Sequence, residues 1–445
     1  MAGRTLDWRS ELGRWLKPFL NRLGHKARRQ MCPLYVSGLI GPGDRKSVQP
    51  MAARVAVGDY DQLHHFIASG VWDAGPVESE LLVQADKLVG GSDAVLVIDD
   101  TAIPKKGMHS VGVAAQYASA LGKTANCQTL VSLTLARGEV PVMLTLRLFL
   151  PESWTSDRAR LKRAGVPAEY RTARTKPELA LVEIDRTIAA GVRFGCVLTD
   201  AGYGISAPFR QALTARKLTW AVGIPRHLKV YPADVKMIWP VAKRGRPRKR
   251  HVPDVLSMPA EDMLADAKWR AISWRTGTKG KLKARFAAAR VRVADGPPQR
   301  IRDKGQQHLP GEAAWLIGEH RTSGEKKYYL ANLPAKTDLR TLAATIKARW
   351  ICEQAHQQLK EELGLDHFEG RSWQGLHRHA LMTMIAYAFL QYRRLKTARR
   401  EKKNQRAATS TDLARRAPSD PRPLRSATAA TMPALPQTAL QRAPA

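Results

Sequence analysis

The sequence predicts an α/β protein: a mixed sheet with flanking helices, a helical region before it and a β-rich insertion within it. Three observations carry this expectation. Residues 94–98 and 194–199 are short apolar runs of buried-strand composition, and each leads directly into aspartate. Residues 129–135 and 140–150 flank Arg137-Gly138 as the two arms of a hairpin. Residues 339–363 place Leu339, Leu342, Ile346 and Trp350 at helical spacing.

Taken in order, residues 1–90 read as a helical domain that grips DNA or packs as a module. Leu16, Phe19, Leu20 and Leu23 recur at helical spacing, residues 48–55 and 62–67 form short helices, and Arg28, Arg29, Arg45 and Lys46 make the ground between them basic. Gly90-Gly91 ends this region, and residues 91–224 are the first part of an α/β core. There the first strand is followed by the hairpin, then by a helix opened by Pro177 and closed by Gly191. A fourth strand ending at Asp200, a helix over 207–216 and a strand over 218–224 complete that part.

Residues 225–335 read as a basic insertion whose pieces 286–293, 314–318 and 327–331 alternate like strands. Residues 336–396 return to the core as two helices. Thr337 and Asp338 are N-cap candidates for the first, Gly364 is its stop, and the second spans about 376–394. Residues 397–445, rich in Ala, Pro and Ser without period, are expected to be a disordered basic tail. No internal repeat is present.

Charge narrows the function. Among 445 residues, 73 are Lys or Arg and 39 are Asp or Glu, a formal net charge of +34. So basic a chain repels itself unless it meets a polyanion, and nucleic acid is the natural one. Cys32, Cys127, Cys196 and Cys352 are too scattered for a disulfide framework or a zinc ribbon. Cys352 and His356 have metal-ligand spacing on a helix, but two ligands make no site. The N-terminus lacks an apolar signal core, and the apolar run 380–390 has half the length of a membrane span. A cytoplasmic protein is expected.

The chemistry gathers on three elements. Asp100 ends the first strand, Asp200 ends the fourth, and Glu353 lies on the helix after the insertion. Read singly, Asp100 and Asp200 are turn or cap residues. Together they are three carboxylates that must repel one another unless cations sit among them. Hard oxygen donors suit Mg²⁺ or Mn²⁺, and two such ions can clamp the attacking and leaving oxygens of a phosphoryl displacement. Arg349, Glu353, His356 and Lys360 follow at offsets of four, three and four, so all four share one helix face. Asp99 is the rival to Asp100. Strand alternation says only that the two point to opposite faces.

Three segments carry a resemblance: VLVIDDTAIPKKG at 95–107, VLTDAGYG at 197–204 and RWICEQAHQQLKEELGLDHFEGRSW at 349–373. Over residues 10–395 the chain resembles insertion-sequence transposases of the DDE class, which have an RNase H-like catalytic core. Related families carry Tyr, Arg, Glu and Lys on the last segment, with two, three and six residues between them. Arg349, Glu353 and Lys360 match, and Ile346 replaces the tyrosine.

The resemblance implies that Asp100, Asp200 and Glu353 bind two Mg²⁺ or Mn²⁺ ions. The family's aspartate directly before threonine favours Asp100, which precedes Thr101. It also implies that Arg349 and Lys360, with His356, Lys105 and Lys106 as further candidates, hold DNA phosphates. The insertion would contact transposon ends, and a homodimer would act on paired ends, associated with a bacterial nucleoid. Within the insertion, Arg244, Arg246 and Arg248 lie in an AT-hook-like run that fits a phosphate-binding loop or a minor-groove reader. The alternatives are a metal-dependent nuclease on the same core and a DNA-binding protein derived from a transposase.

Overall fold

The computed structural model describes residues 8–118, 121–239, 250–277, 280–301 and 305–415. Arg244, Arg246 and Arg248 lie outside the described residues, as does the chain after residue 415. The first 90 residues form helices α1 (Trp8–Leu20), α2 (Lys26–Ile40), α3 (Val48–Val55), α4 (Tyr60–Ala68) and α5 (Gly75–Val89). These helices have no core of their own. Leu16, Cys32, Tyr35 and Leu81 join one continuous apolar cluster with Leu381, Met384 and Phe389 of the last helix. Tyr35 Oη bonds His379 Nδ1 at 2.8 Å, and Arg378, fully buried, donates to the carbonyl of Trp72 at 2.6 Å. Lys46 is buried too and donates to the Gly41 carbonyl, so it is not part of a basic surface.

The sheet is built around β1 (Val95–Pro104). After it come β2 (Ala114–Ala118), β3 (Lys123–Arg137) and β4 (Val140–Leu148). Two short helices, α6 (Glu152–Thr155) and α7 (Arg158–Arg163), precede α8 (Lys176–Ala189). Thr175 and Glu178 close a capping box at the start of α8, with Pro177 in its first turn. Then follow β5 (Cys196–Thr199), the single turn α9 (Ala201–Gly204), α10 (Ala207–Ala215) and β6 (Trp220–Ile224).

β1 pairs antiparallel with β3 on one edge and parallel with β5 on the other, β4 pairs antiparallel with β3, and β6 pairs parallel with β5. The resulting order, β4-β3-β1-β5-β6, is RNase H-like. A Cβ on Gly204 would meet the Gly223 carbonyl oxygen at 1.9 Å. Only glycine therefore lets α9 seat on β6 beside Asp200.

The insertion contributes β7 (Lys229–Pro232), β8 (Met237–Ile238), β9 (Val252–Pro253), β10 (Met258–Pro259), α11 (Ala260–Met263), β11 (Arg270–Gly277), β12 (Gly280–Val293), β13 (Pro298–Arg300), β14 (Gln306–His308), β15 (Ala313–His320) and β16 (Lys326–Ala331). It is not a separate layer. β16 pairs with β6, and β15, β12, β7 and β10 follow in turn, so the insertion extends the central sheet.

The helix expected over 339–363 is two pieces. α12 (Leu339–Lys347), capped by Asp338, meets a 3₁₀ turn (Ala348–Trp350), and α13 (Ile351–Glu361) follows. Gly364, at φ 65°, takes the left-handed conformation just past the end of α13. The last helix, α14 (Trp373–Arg415), continues well beyond Lys396, which corrects the expectation of disorder for its first part. No helix among the described residues is long and apolar enough to cross a membrane.

Three buried histidines set an acid limit. Burial lowers His356 to about 4, His379 to about 4 and His377 to about 3, from an ordinary 6.5. A depressed pKa means that the unfolded chain takes up the proton first. The stability tied to neutral rings is therefore complete above 6.5 and is lost as pH falls towards 4. The ring-proton shifts of these three histidines are expected to stay flat from pH 8 to 5 in NMR titration, while exposed histidines move.

Candidate active site

β1 carries its two aspartates to opposite faces. The register pairs Val97 with Leu198 and Ile98 with Thr199, so Asp99 and Asp200 are the next neighbours along the parallel pair. Val97 and Leu198 pack in one apolar cluster with Ile346, Ile351 and Cys352. Asp99, two residues beyond Val97, therefore faces α13. Its Oδ2 accepts from Arg349 Nη1 at 2.6 Å and from Cys352 Sγ at 3.1 Å. Arg349 Nη2 donates to Glu353 Oε1, so a single guanidinium bridges Asp99 and Glu353.

Asp100 faces the other way. It accepts from Lys176 Nζ at 2.5 Å and from Tyr203 Oη at 2.5 Å. The structure thus turns Asp100, the acid favoured from sequence, towards α8 and α9, and puts its rival Asp99 on the arginine that Glu353 also bonds. The reason is the pleat: a one-residue step on a strand changes the face. Lys176 and Tyr203 were not singled out in the sequence. Thr175-Lys-Pro-Glu178, a capping box opening a helix, was the available signal that Lys176 would stand at a fixed position.

Electrostatics match this geometry. Asp200 lies above the ordinary carboxylate range, first because of burial and then because of the neighbouring Asp99 charge, with Arg349 opposing both. Asp200 Oδ1 also accepts from the Tyr203 backbone N–H at 3.3 Å. Burial likewise raises Asp100, against the pull of Lys176 and Tyr203. Burial works against the charge of Arg349, but Asp99, Cys352, Glu353 and Asp200 together hold it above the ordinary arginine value.

The basic candidates divide. His356 is buried, and its Nε2 bonds Ser132 Oγ at 2.8 Å. Ser132 in turn donates to the Asp99 carbonyl at 3.0 Å. A hydroxyl has one proton, so His356 must be the donor in the first bond. His356 is thus a neutral strut behind Asp99 rather than a surface cation for phosphate, a correction to the sequence reading. Its helix face looked exposed only because its partner lies 224 residues away.

Lys360 Nζ donates to the Ala102 carbonyl at 2.8 Å and Lys105 Nζ to the Phe368 carbonyl at 2.6 Å. Burial lowers both ammonium groups from their ordinary value. Lys106 is exposed on a cleft shared with Arg45, His109 and Arg371. Ile346, in the family's tyrosine position, is buried among the α12 core residues. Trp350, nearly half exposed, lies under Arg275 of β11 at 5.2 Å.

Asp99, Asp200 and Glu353 offer the hard oxygen donors that a divalent cation takes. Among the described residues, no three His, Cys, Asp or Glu side chains converge closely enough to hold an ion. The Arg349 guanidinium stands between Asp99 and Glu353. The donor set fits in kind, and Arg349 supplies its positive charge.

Comparison with known proteins gives three findings. The DDE superfamily endonuclease family matches residues 18–281, well over half of the chain. That stretch holds Asp99, Asp100 and Asp200 but ends before Glu353. A probable transposase for insertion sequence element IS701 from Microchaete diplosiphon is 30% identical over 188 residues. The aligned stretch is 42% of this chain and 46% of that protein, so the match spans about half of the relative's length. A solved piggyBac transposase synaptic complex with hairpin DNA aligns with TM-score 0.38 at 11% identity, covering 89% of this chain and 74% of that one. A likeness so distant carries no argument.

Proposed function

Because the chain belongs to the DDE superfamily endonucleases, we propose that it is an insertion-sequence transposase, cutting DNA at terminal inverted repeats and joining the ends to target DNA. The observation that supports this best is that Arg349 bonds both Asp99 and Glu353, with Asp200 the next neighbour of Asp99 across the parallel strands, on a chain of net charge +34. The family works with divalent metal ions, and we infer Mg²⁺ or Mn²⁺ as a pair. Asp99, Asp200 and Glu353 would hold them, with Asp100 the alternative to Asp99. When bound, such ions neutralise charge on the transferring phosphate and lower the pKa of water.

The chain's own residues do the rest. Arg349 exchanges a carboxylate partner for a DNA phosphate, which matches its planar fork. Lys360 and Lys105 each spend one donor on a carbonyl and keep others for phosphate oxygens. His356, through Ser132, fixes the backbone of Asp99. Water attacks the phosphodiester phosphorus at the element end, the P–O3′ bond breaks, and a 3′-hydroxyl is freed. That hydroxyl then attacks a target phosphodiester, expelling a second 3′-oxygen, so no external energy source is needed.

Residues 1–90 and 225–335, with Arg244, Arg246 and Arg248, are proposed to contact the ends. A homodimer on two paired ends would act near the bacterial nucleoid in the cytoplasm.

The test is a strand-transfer assay with the full chain, Mg²⁺ and DNA that carries the flanking inverted repeats. Cleavage confined to end-bearing DNA, together with joined products, is expected. Cleavage of any DNA without joining would identify a nuclease instead. Binding without metal-dependent cleavage would identify a DNA-binding derivative.

A further inference from the structure

Arg349 sits on the 3₁₀ turn (Ala348–Trp350), the break between α12 and α13. Short 3₁₀ stretches within helices often mark hinges. Its guanidinium is anchored at one end on Asp99, whose side chain is 15% exposed, and at the other on Glu353, which is 48% exposed. The inner contact is enclosed, while the outer one faces solvent. Asp200 also feels its charge. One monovalent side chain thus occupies the space between two carboxylates and partly offsets the charge of three. A divalent ion drawn to the same oxygens would meet a like charge, which disfavours both.

We propose that Arg349 is a displaceable internal cation: it closes the carboxylate cluster to divalent ions until a DNA phosphate draws it outward. Three features support the exchange. A phosphate can accept from both terminal nitrogens at once, whereas each carboxylate here accepts from one. The outer partner, Glu353, is already half in water. Lys106 and Arg371 line a cleft at the end of β1, together with Arg45, which is paired to Glu369, and with Asp44 and Asp366; the first two, unshared among the described residues, can take a phosphate backbone there. The consequence is coupling. If DNA releases the acids from Arg349, DNA and metal must each tighten the binding of the other by the same factor. The enzyme would then stay unloaded away from DNA.

This inference rests on the reading of Asp99, Asp200 and Glu353 as metal ligands, and the experiment separates the two. Mn²⁺ binding to the full chain is followed by electron paramagnetic resonance, with and without a short DNA duplex, after subtraction of ions held by the DNA alone. Wild type is expected to bind Mn²⁺ at least about tenfold more tightly with DNA, within the usual range of such couplings. Arg349→Gln is expected to bind Mn²⁺ without DNA about as well as wild type does with it. Arg349→Lys, which keeps the charge, is expected to stay DNA-dependent.

Equal wild-type affinities with and without DNA would overturn the gate, even if Arg349→Gln failed to fold. So would an Arg349→Gln protein that binds Mn²⁺ no better than wild type. If Glu353→Gln still weakens Mn²⁺ binding in those cases, the metal-site reading stands without the gate. If Glu353→Gln leaves binding unchanged in every state, the metal-site reading itself fails.

Discussion

Glu353→Gln is expected to abolish strand cleavage, by about a thousandfold or more, while DNA binding and folding persist. The carboxylate is half exposed and among the described residues is bonded to Arg349, so an isosteric amide costs the fold little. A loss of several kcal/mol of charge stabilisation in the transition state corresponds to that factor. The same assay distinguishes the two aspartates of β1. Asp99 shares Arg349 with Glu353, so Asp99→Asn is expected to match Glu353→Gln. Asp100 is engaged with Lys176 and Tyr203 on the other face, so Asp100→Asn is expected to leave cleavage within about tenfold of wild type, about 1.4 kcal/mol. Cleavage lost in Asp100→Asn and kept in Asp99→Asn would reverse the assignment.

Glu183→Ala is expected to be the most damaging substitution for stability, by about 3–5 kcal/mol, because it strands a buried charge. Glu183 is 3% exposed and accepts from Thr145 Oγ1 at 2.9 Å and Arg147 Nε at 2.8 Å. Arg186 Nη1 adds a third bond at 3.3 Å. Arg147 then keeps the longer contact to Glu78, at 3.4 Å, and its place over the Tyr170 ring, at 5.3 Å. Burial of Glu183 opposes its charge, yet Arg147 and Arg186 outweigh it and hold the carboxyl below its ordinary range. A lowered folded pKa gives stability above the unfolded value that disappears as pH falls through the folded one, so the network also weakens in acid. These contacts tie α5, β4 and α8 together, and α8 begins at Lys176, the partner of Asp100. Urea unfolding at neutral pH measures the loss. A change below about 1 kcal/mol would mean that Arg147 is satisfied elsewhere.

Much of the core was legible because its signals are local. The apolar run before Asp99, the hairpin at Arg137-Gly138, the cap at Asp338 and the stop at Gly364 each declare themselves within a few residues. The acids Asp200 and Glu353 could be collected by their place on such elements. The face of Asp99 could not, because it depends on which side of β1 the distant α13 packs. Lys176, Tyr203 and Ser132 failed to stand out for the same reason, and Cys352 was weighed as a metal ligand rather than as a partner of Asp99. His356 looked like a surface cation because its helix neighbours, Arg349 and Lys360, are charged. The long strands of the insertion were visible, but not their alignment with β6, since pairing partners leave no trace in a single strand's pattern.

The helix α14 has a consequence for how the protein is made. Tyr35 waits for His379 and Cys32 for Met382, partners separated by 344 and 350 residues. At roughly 5–20 residues per second, a ribosome takes about 17 to 70 seconds to supply them. During that interval α1 to α5 emerge with their apolar faces uncovered, and neither end of the chain can finish alone. Packing of α1 to α5 is therefore completed only once α14 has been made, and nascent chains interrupted before α14 are natural clients for chaperones and proteases.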